Sequence, residues 1–280
     1  MTAQKIFGIF GNPIGHTLSP AMHNAAFFEL DLPYQYCPFR VTHDKLKDAA
    51  SALIALGIGG VNITIPHKET ILPLLDECSE EAQRIGAVNT IEVSGHRLIG
   101  HNTDGRGFLQ SLLEENINLS GLRVILLGVG GSARAVAVSL LSCDIGEMVL
   151  LARTKEKRDA LQSDLFHLFP GKKIESFPFD KNDFDGTPSL LINTTSIGMQ
   201  SCDPLPYPAS SFHPGWILAD LVYRPLKTPF LIAGEKAGLK IVPGAGMLLH
   251  QAVLSFEIFT KCKAPIDVMR GALSLSLSAR

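Results

Sequence analysis

The sequence lacks any Cys-x-x-Cys pair: its five cysteines, Cys37, Cys78, Cys143, Cys202 and Cys262, lie far apart. That spacing argues against a zinc site or a redox dithiol and suits small apolar fillers in a reducing compartment. No 18-residue apolar run occurs, so nothing is long enough to span a membrane as a helix. The first apolar stretch, KIFGIF, meets a Gly-Asn-Pro turn at once and is too short for a signal peptide. Charge of one sign is also missing. The 25 Lys and Arg against 27 Asp and Glu leave a net charge of −2, which offers nucleic acid no basic field. Repeats and low-complexity segments are absent, and no His-Glu-x-x-His or His/Cys cluster suggests a metal. These absences predict a cytoplasmic protein with no metal, nucleic-acid or membrane partner; separately, its expected partner is a small-molecule substrate and its expected state a monomer or homodimer.

What is present alternates between strand and helix signals. Residues 5–10 read as a strand and residues 19–30 as a helix, with Ser19 as its N-cap and Pro20 at its first position. Strand 34–39, helix 44–56 and strand 61–66 follow, then a helical run over 68–85 broken near Pro73. The alternation predicts parallel βαβ units. A long helix covers 102–115, and residues 122–143 read as a strand, a glycine turn and a helix. A strand over 146–154 and a helix over 156–169 come next, then three strands that end in polar loops. From Met247 onward the chain is helical, with a break at Pro265. At 280 residues it suits two domains. The fold class expected is α/β with two α/β domains, one formed by 1–104 plus 246–280 and the other by 105–245. The C-terminal helices pack back on the first domain.

Two stretches carry chemistry. In VNITIPHKE, residues 61–69, apolar positions alternate as in a strand until Pro66 ends it and Lys68 follows. A lone lysine is by default a solvated loop residue. In GVGGSA, residues 128–133, Gly128 permits a tight turn, Gly130 lets a pyrophosphate approach the backbone, and Ala133 is small enough for helix–strand packing. The helix that follows offers free N–H groups and a positive dipole end to phosphates. The next strand ends in Leu151-Ala152-Arg153-Thr154 with Lys155, Lys157 and Arg158 close behind. No carboxylate awaits a plain ribose there, whereas an arginine and a hydroxyl suit a 2′-phosphate. That position favours NADP.

These stretches, with GHTLSP, GAVNT, NTDG, NTTSIGM, YRPLKTP and PGAGMLLHQA in the same order along nearly the whole chain, strongly resemble the shikimate dehydrogenase family. The resemblance implies an N-terminal substrate domain, a Rossmann-type NADP domain and NADP-linked interconversion of shikimate and 3-dehydroshikimate. It makes Lys68 the acid/base group and Asp104 its partner. It implies polyol contacts at Thr17, Ser19, Thr64, Asn89, Asp104, Tyr223 and Gln251. Cofactor contacts fall on Gly128, Val129, Gly130, Gly131, Ser132, Ala152, Arg153, Thr154, Lys155, Lys157, Leu221 and Gly244. Thr17 stands where the family has serine and Ala152 where it has asparagine. A quinate/shikimate dehydrogenase with relaxed cofactor use, or a non-catalytic sensor of a shikimate-pathway metabolite, are the other readings. Retention of both Lys68 and Asp104 argues against the sensor. His67, between Pro66 and Lys68, reads as a wall of the site.

Overall fold

The computed structural model describes residues 4–200 and 202–279, and the chain divides into two compact units, Met1–Asp104 with Leu249–Arg280, and Gly105–Leu248.

In the first unit, β1 (Lys5–Gly11) leads into α1 (Ser19–Glu29) and β2 (Tyr34–Arg40), then α2 (Leu46–Ala55) and β3 (Gly60–Ile63). β1 pairs in parallel with β2 on one side and β3 on the other. Two expectations fail here. The run over 68–85, expected as helix broken near Pro73, breaks there but forms only a short 3₁₀ turn at Leu72–Leu74, β4 (Glu77–Cys78) and α3 (Glu80–Ile85). Pro73 has no N–H to continue a helix. Ser79 restarts one by accepting a hydrogen bond from the Ala82 N–H at 3.2 Å. The expected parallel βαβ pattern also stops, because β5 (Thr90–Ser94) runs antiparallel to β3 and forms an antiparallel hairpin with β6 (Arg97–His101). Gly95, at φ +61°, makes the tight reversal between them. The sheet order is β2-β1-β3-β5-β6-β4. Its core includes Phe10, Leu53, Val61, Ile63, Ile71, Val88 and Ile91. Ser19 is the first helical residue of α1, with Leu18 in the N-cap place, since its hydroxyl bonds to other side chains instead of the helix amides.

The second unit begins with α4, whose helix as a whole spans Asp104–Glu114, and continues through β7 (Arg123–Leu127), α5 (Gly131–Leu141), β8 (Glu147–Ala152) and α6 (Lys155–Leu168). β9 (Ile174–Pro178), which the sequence reading did not anticipate, is followed by β10 (Ser189–Asn193), β11 (Ile217–Asp220), α7 (Pro229–Lys236) and β12 (Lys240–Val242). All neighbouring strands are parallel, in the order β9-β8-β7-β10-β11-β12. Counted from β7 this is 3-2-1-4-5-6, the doubly wound dinucleotide-binding order. β7, β8 and β10 are almost entirely buried apolar runs, as a sheet covered on both faces requires. α8 (Gly244–Thr260) starts three residues earlier than expected, and α9 (Ile266–Ser278) follows the break at Pro265. α9 packs on α1 within the first unit. Among the described residues no helix is long and apolar enough to cross a membrane.

Candidate functional site

In the first unit, β3 delivers its polar residues to one end of the sheet. The chain leaves the strand at Thr64, whose N–H donates to Phe10 O at 2.9 Å, and turns through Pro66 so that the His67 N–H donates to Thr64 O at 2.9 Å. His67 is fully buried, and its Nε2 lies 2.7 Å from Val41 O. A carbonyl oxygen only accepts, so Nε2 carries the proton, and the ring anchors the turn. Lys68 follows. Its carbonyl accepts from the Val88 N–H at 2.8 Å, and its Nζ donates to Asp104 Oδ2 at 2.5 Å. The two side chains are only 12% and 5% exposed. A pair so withdrawn from water is poorly screened, which sets it apart from a solvated surface lysine.

Asp104 sits at the N-terminus of α4, where the helix dipole favours its charge. Its N–H donates to Asn102 Oδ1 at 3.0 Å, and Asn102 Nδ2 donates to Ala87 O at 2.9 Å. Asn89 completes the site. Its Oδ1 accepts from the Thr103 N–H at 2.8 Å, and its Nδ2 donates to Asp104 Oδ1 at 2.8 Å. Asn89 therefore caps a turn and orients a carboxylate with the same amide. Thr17 Oγ1 lies 3.3 Å from Ser19 Oγ. Gln251 enters through α8, and its carbonyl accepts from Thr103 Oγ1 at 3.1 Å. The structure thus joins Lys68, Asp104 and Asn89 by direct hydrogen bonds, and separately joins Thr17 to Ser19. Behind Asn89 lies a buried polar layer that the sequence reading missed, made of Tyr36, Asn62, Thr90, Thr103 and Ser255. No local pattern marks it: Asn62 alternates with apolar residues as any two-faced strand position does, and Thr90 opens a strand that also holds Glu92 and Ser94.

In the second unit the glycine turn joins β7 to α5. Gly128 has φ +110°, and a Cβ there would stand 2.7 Å from Thr194 Oγ1, so backbone and space both require glycine. Gly130 differs. Its φ is ordinary, and a Cβ would meet nothing within 4 Å. The space above it is open, as close approach of a pyrophosphate demands. Gly130 is the N-cap of α5 and has no side chain to spend on the first-turn amides of Gly131, Ser132 and Ala133. Val129 lies in the same turn. Ala133 is fully buried against the sheet.

Ala152 ends β8. Arg153, Thr154, Lys155 and Lys157 are exposed around the start of α6, and the Thr154 hydroxyl makes no cap bond. These groups are free of buried structural duties and can meet a phosphate. Lys155 also pairs with Asp159 at 2.6 Å. Leu221 and Tyr223 follow β11 on a loop held by Asp220, whose carboxylate accepts from Asn193 Nδ2 and the Val222 N–H at 2.9 Å and from Thr228 Oγ1 at 2.6 Å. Burial pushes the Asp220 carboxyl up to about 6 against the opposing pull of these donors. Burial likewise raises the Tyr223 phenol above its ordinary value, partly offset by Arg224. Gly244 is required sterically, since a Cβ would stand 2.7 Å from both Asp220 O and Leu221 O. Among the described residues, no three His, Cys, Asp or Glu side chains are grouped to hold a metal.

Comparison with known proteins agrees with this geometry. Residues 9–91 match the shikimate dehydrogenase substrate binding domain, and residues 244–273 match the shikimate 5'-dehydrogenase C-terminal domain. A shikimate dehydrogenase (NADP(+)) of Desulfitobacterium hafniense is 40% identical over 275 residues, covering 98% of this chain and 99% of the relative. A shikimate dehydrogenase solved in complex with NADP+ superposes with a TM-score of 0.91 at 36% identity, over 99% of this chain and 98% of that one. The Thermus thermophilus shikimate 5-dehydrogenase in complex with NADP(H) and shikimate gives 0.87 at 35% identity, over 97% and 99%. Similarity at this level over both units, together with the buried lysine–aspartate pair and the glycine turn, has one reading: the chain belongs to the shikimate dehydrogenase family.

Proposed function

We propose that this protein catalyses the NADP-linked interconversion of shikimate and 3-dehydroshikimate, with Lys68 as the acid/base group. The observation that carries the reading is the buried Lys68–Asp104 pair, oriented by Asn89, in a chain that also keeps an uncapped glycine turn. NADP, when bound, supplies a nicotinamide that takes a hydride from the substrate carbon or returns it. Gly128 through Ser132 would hold its pyrophosphate, and Arg153, Thr154, Lys155 and Lys157 its 2′-phosphate.

The residues of the first unit manage the proton. In the reduction direction, the Lys68 ammonium gives a proton to the carbonyl oxygen as hydride reaches the carbonyl carbon, which leaves a neutral amine and an alcohol. In oxidation, the neutral amine takes the hydroxyl proton back. Asp104 holds Nζ in place and accepts from a substrate hydroxyl. Thr17, Ser19, Thr64, Asn89 and Gln251 offer the mixed donors and acceptors that a polyol needs.

Initial rates with shikimate and with quinate, each with NADP and with NAD, test the reading. The shikimate–NADP pair should be fastest. Comparable rates with quinate or NAD would assign the relaxed enzyme, and no turnover with any pair would assign a binding protein.

A further inference from the structure

Tyr36 lies on β2, at the edge of the sheet, yet it is 1% exposed and held from three sides. Its main-chain N–H donates to Asn24 Oδ1 at 2.8 Å, and its carbonyl accepts from Asn24 Nδ2 at 3.0 Å. Its ring stacks on His23 with centroids 4.3 Å apart and an interplanar angle of 3°. Its hydroxyl lies 2.7 Å from Asn62 Oδ1. A tyrosine fixed at backbone, ring and hydroxyl is more constrained than packing alone requires.

The hydrogen-bond directions along the buried polar layer can be worked out. Asn62 Nδ2 lies 3.1 Å from the main-chain oxygen of Asn89, which only accepts, so the amide nitrogen faces that way and Oδ1 faces Tyr36. The Tyr36 hydroxyl is therefore the donor. Burial pushes its phenol well above its ordinary value, so the proton stays on it. The second Asn62 Nδ2 hydrogen is shared between Thr90 Oγ1 at 3.0 Å and Ser255 Oγ at 2.9 Å. Thr90 Oγ1 in turn donates to Asn89 Oδ1 at 3.0 Å. The Asn89 amide is oriented independently, because the Thr103 N–H donates to Oδ1, which turns Nδ2 toward Asp104 Oδ1 at 2.8 Å. Every donor in the chain from Tyr36 through Asn62, Thr90 and Asn89 points toward Asp104, and Lys68 closes it from the other side at 2.5 Å. Bonds aligned in one sense polarise one another, so the end of the chain feels its beginning.

We propose that Tyr36 is a positioning residue for the Lys68–Asp104 pair, acting through Asn62, Thr90 and Asn89 without touching the substrate. This rests on Lys68 and Asp104 being the reacting pair. Removing the Tyr36 hydroxyl leaves Asn62 Oδ1 buried without its donor. The Asn62 amide then loses the donor on its oxygen side, and the polarisation passed along Thr90 and Asn89 to Asp104 weakens.

Tyr36→Phe keeps the ring and its stacking and deletes only the hydroxyl. The rate per folded molecule should fall about 3- to 10-fold in kcat, with the NADP KM unchanged and any rise in the shikimate KM smaller than the fall in kcat. Tyr34→Phe, on the same strand, is the control and should leave both constants as in the wild type. Thr90→Val breaks the chain at its middle, so its effect on kcat and that of Tyr36→Phe should be strongly non-additive. A Tyr36→Phe enzyme with lowered thermal stability but unchanged kcat, or a double variant whose effects simply multiply, would overturn the proposal. If Tyr36→Phe does not fold, Thr90→Val alone decides by the same division between kcat and KM. Lys68→Ala separates the two claims. Near wild-type turnover in that variant sinks the reacting pair itself, whereas an inactive Lys68→Ala beside an unaffected Tyr36→Phe sinks only the role of Tyr36.

Discussion

Lys68 Nζ lies 2.5 Å from Asp104 Oδ2, with neither side chain more than 12% exposed, and Asn89 Nδ2 lies 2.8 Å from the other carboxylate oxygen. The carboxylate is thus bonded on both oxygens. Its position defines that of the ammonium, so the two residues should act as one unit. We expect Lys68→Ala and Asp104→Ala each to remove most of the activity, and the double variant to lose little more than the worse of the two. A cycle in kcat reads this directly. Effects that add in free energy would assign the two residues independent roles.

Asp104→Ala should also destabilise the fold, because it removes the carboxylate paired with the Lys68 charge in a site shielded from water. Breaking a buried pair from one side costs roughly 3–5 kcal/mol. Urea unfolding measures it. Asp104→Asn keeps an oxygen for the lysine and should cost less. Equal losses for the two variants would mean that the charge is not what holds Lys68.

Cofactor preference should reside in Arg153 and Thr154. Arg153 is exposed at the end of β8, beside Thr154, whose hydroxyl makes no cap bond. A hydrogen bond to a charged group contributes roughly 1.5–3 kcal/mol, so Arg153→Ala should weaken NADP by about one to two powers of ten. NAD lacks the 2′-phosphate and should be nearly unaffected, so the ratio of kcat/KM for NADP over NAD should collapse toward one. Ala152→Asn should raise it. Equal weakening of both cofactors by Arg153→Ala would place the 2′-phosphate elsewhere.

His23 should make the fold acid-sensitive. Complete burial lowers its pKa from 6.5 to about 3. Below pH 6.5 the unfolded chain takes up a proton that the folded protein refuses, so stability falls as pH drops through the window from 6.5 to 3. The loss is on the order of 2 kcal/mol at pH 5. Asp220 has the opposite sign: its pKa rises from 3.8 to about 6, so its contribution is present at low pH and is lost as pH climbs through 6. The difference between wild type and His23→Phe isolates the histidine. That difference should shift in the variant's favour between pH 7 and pH 5, and a constant difference would contradict the assignment.

Much of the fold could be read from local pattern. The second unit was legible at β7 and β8, each a buried apolar run followed by a turn and a helix, whereas β9, half-exposed and followed by no helix, was not. The first unit was less so. The β5–β6 hairpin turns at Ser94-Gly95-His96, and only Gly95 marks the reversal in a stretch whose polar residues resemble a loop. The helical periodicity over 68–85 was real but was cut by Pro73 and restarted by Ser79. In the site, Lys68 stood out at a strand end, while Asp104 and Asn89 were pointed to by the family motifs NTDG and GAVNT. Tyr36, Asn62, Thr90 and Ser255 did not, because their function depends on contacts between residues as far apart as 62 and 255, and no local pattern carries those. Gly130 and Gly244 were both expected to contact the cofactor. The structure separates them, the first facing open space and the second crowded by two carbonyl oxygens.

The central claim, that Lys68 moves the proton, is tested most directly by the kcat of Lys68→Ala with saturating shikimate and NADP, together with equilibrium binding of shikimate to the same variant. The account predicts a kcat lowered by ~10²–10⁴, the usual contribution of a positioned acid/base group, with binding changed far less. A variant that keeps near wild-type kcat would contradict it.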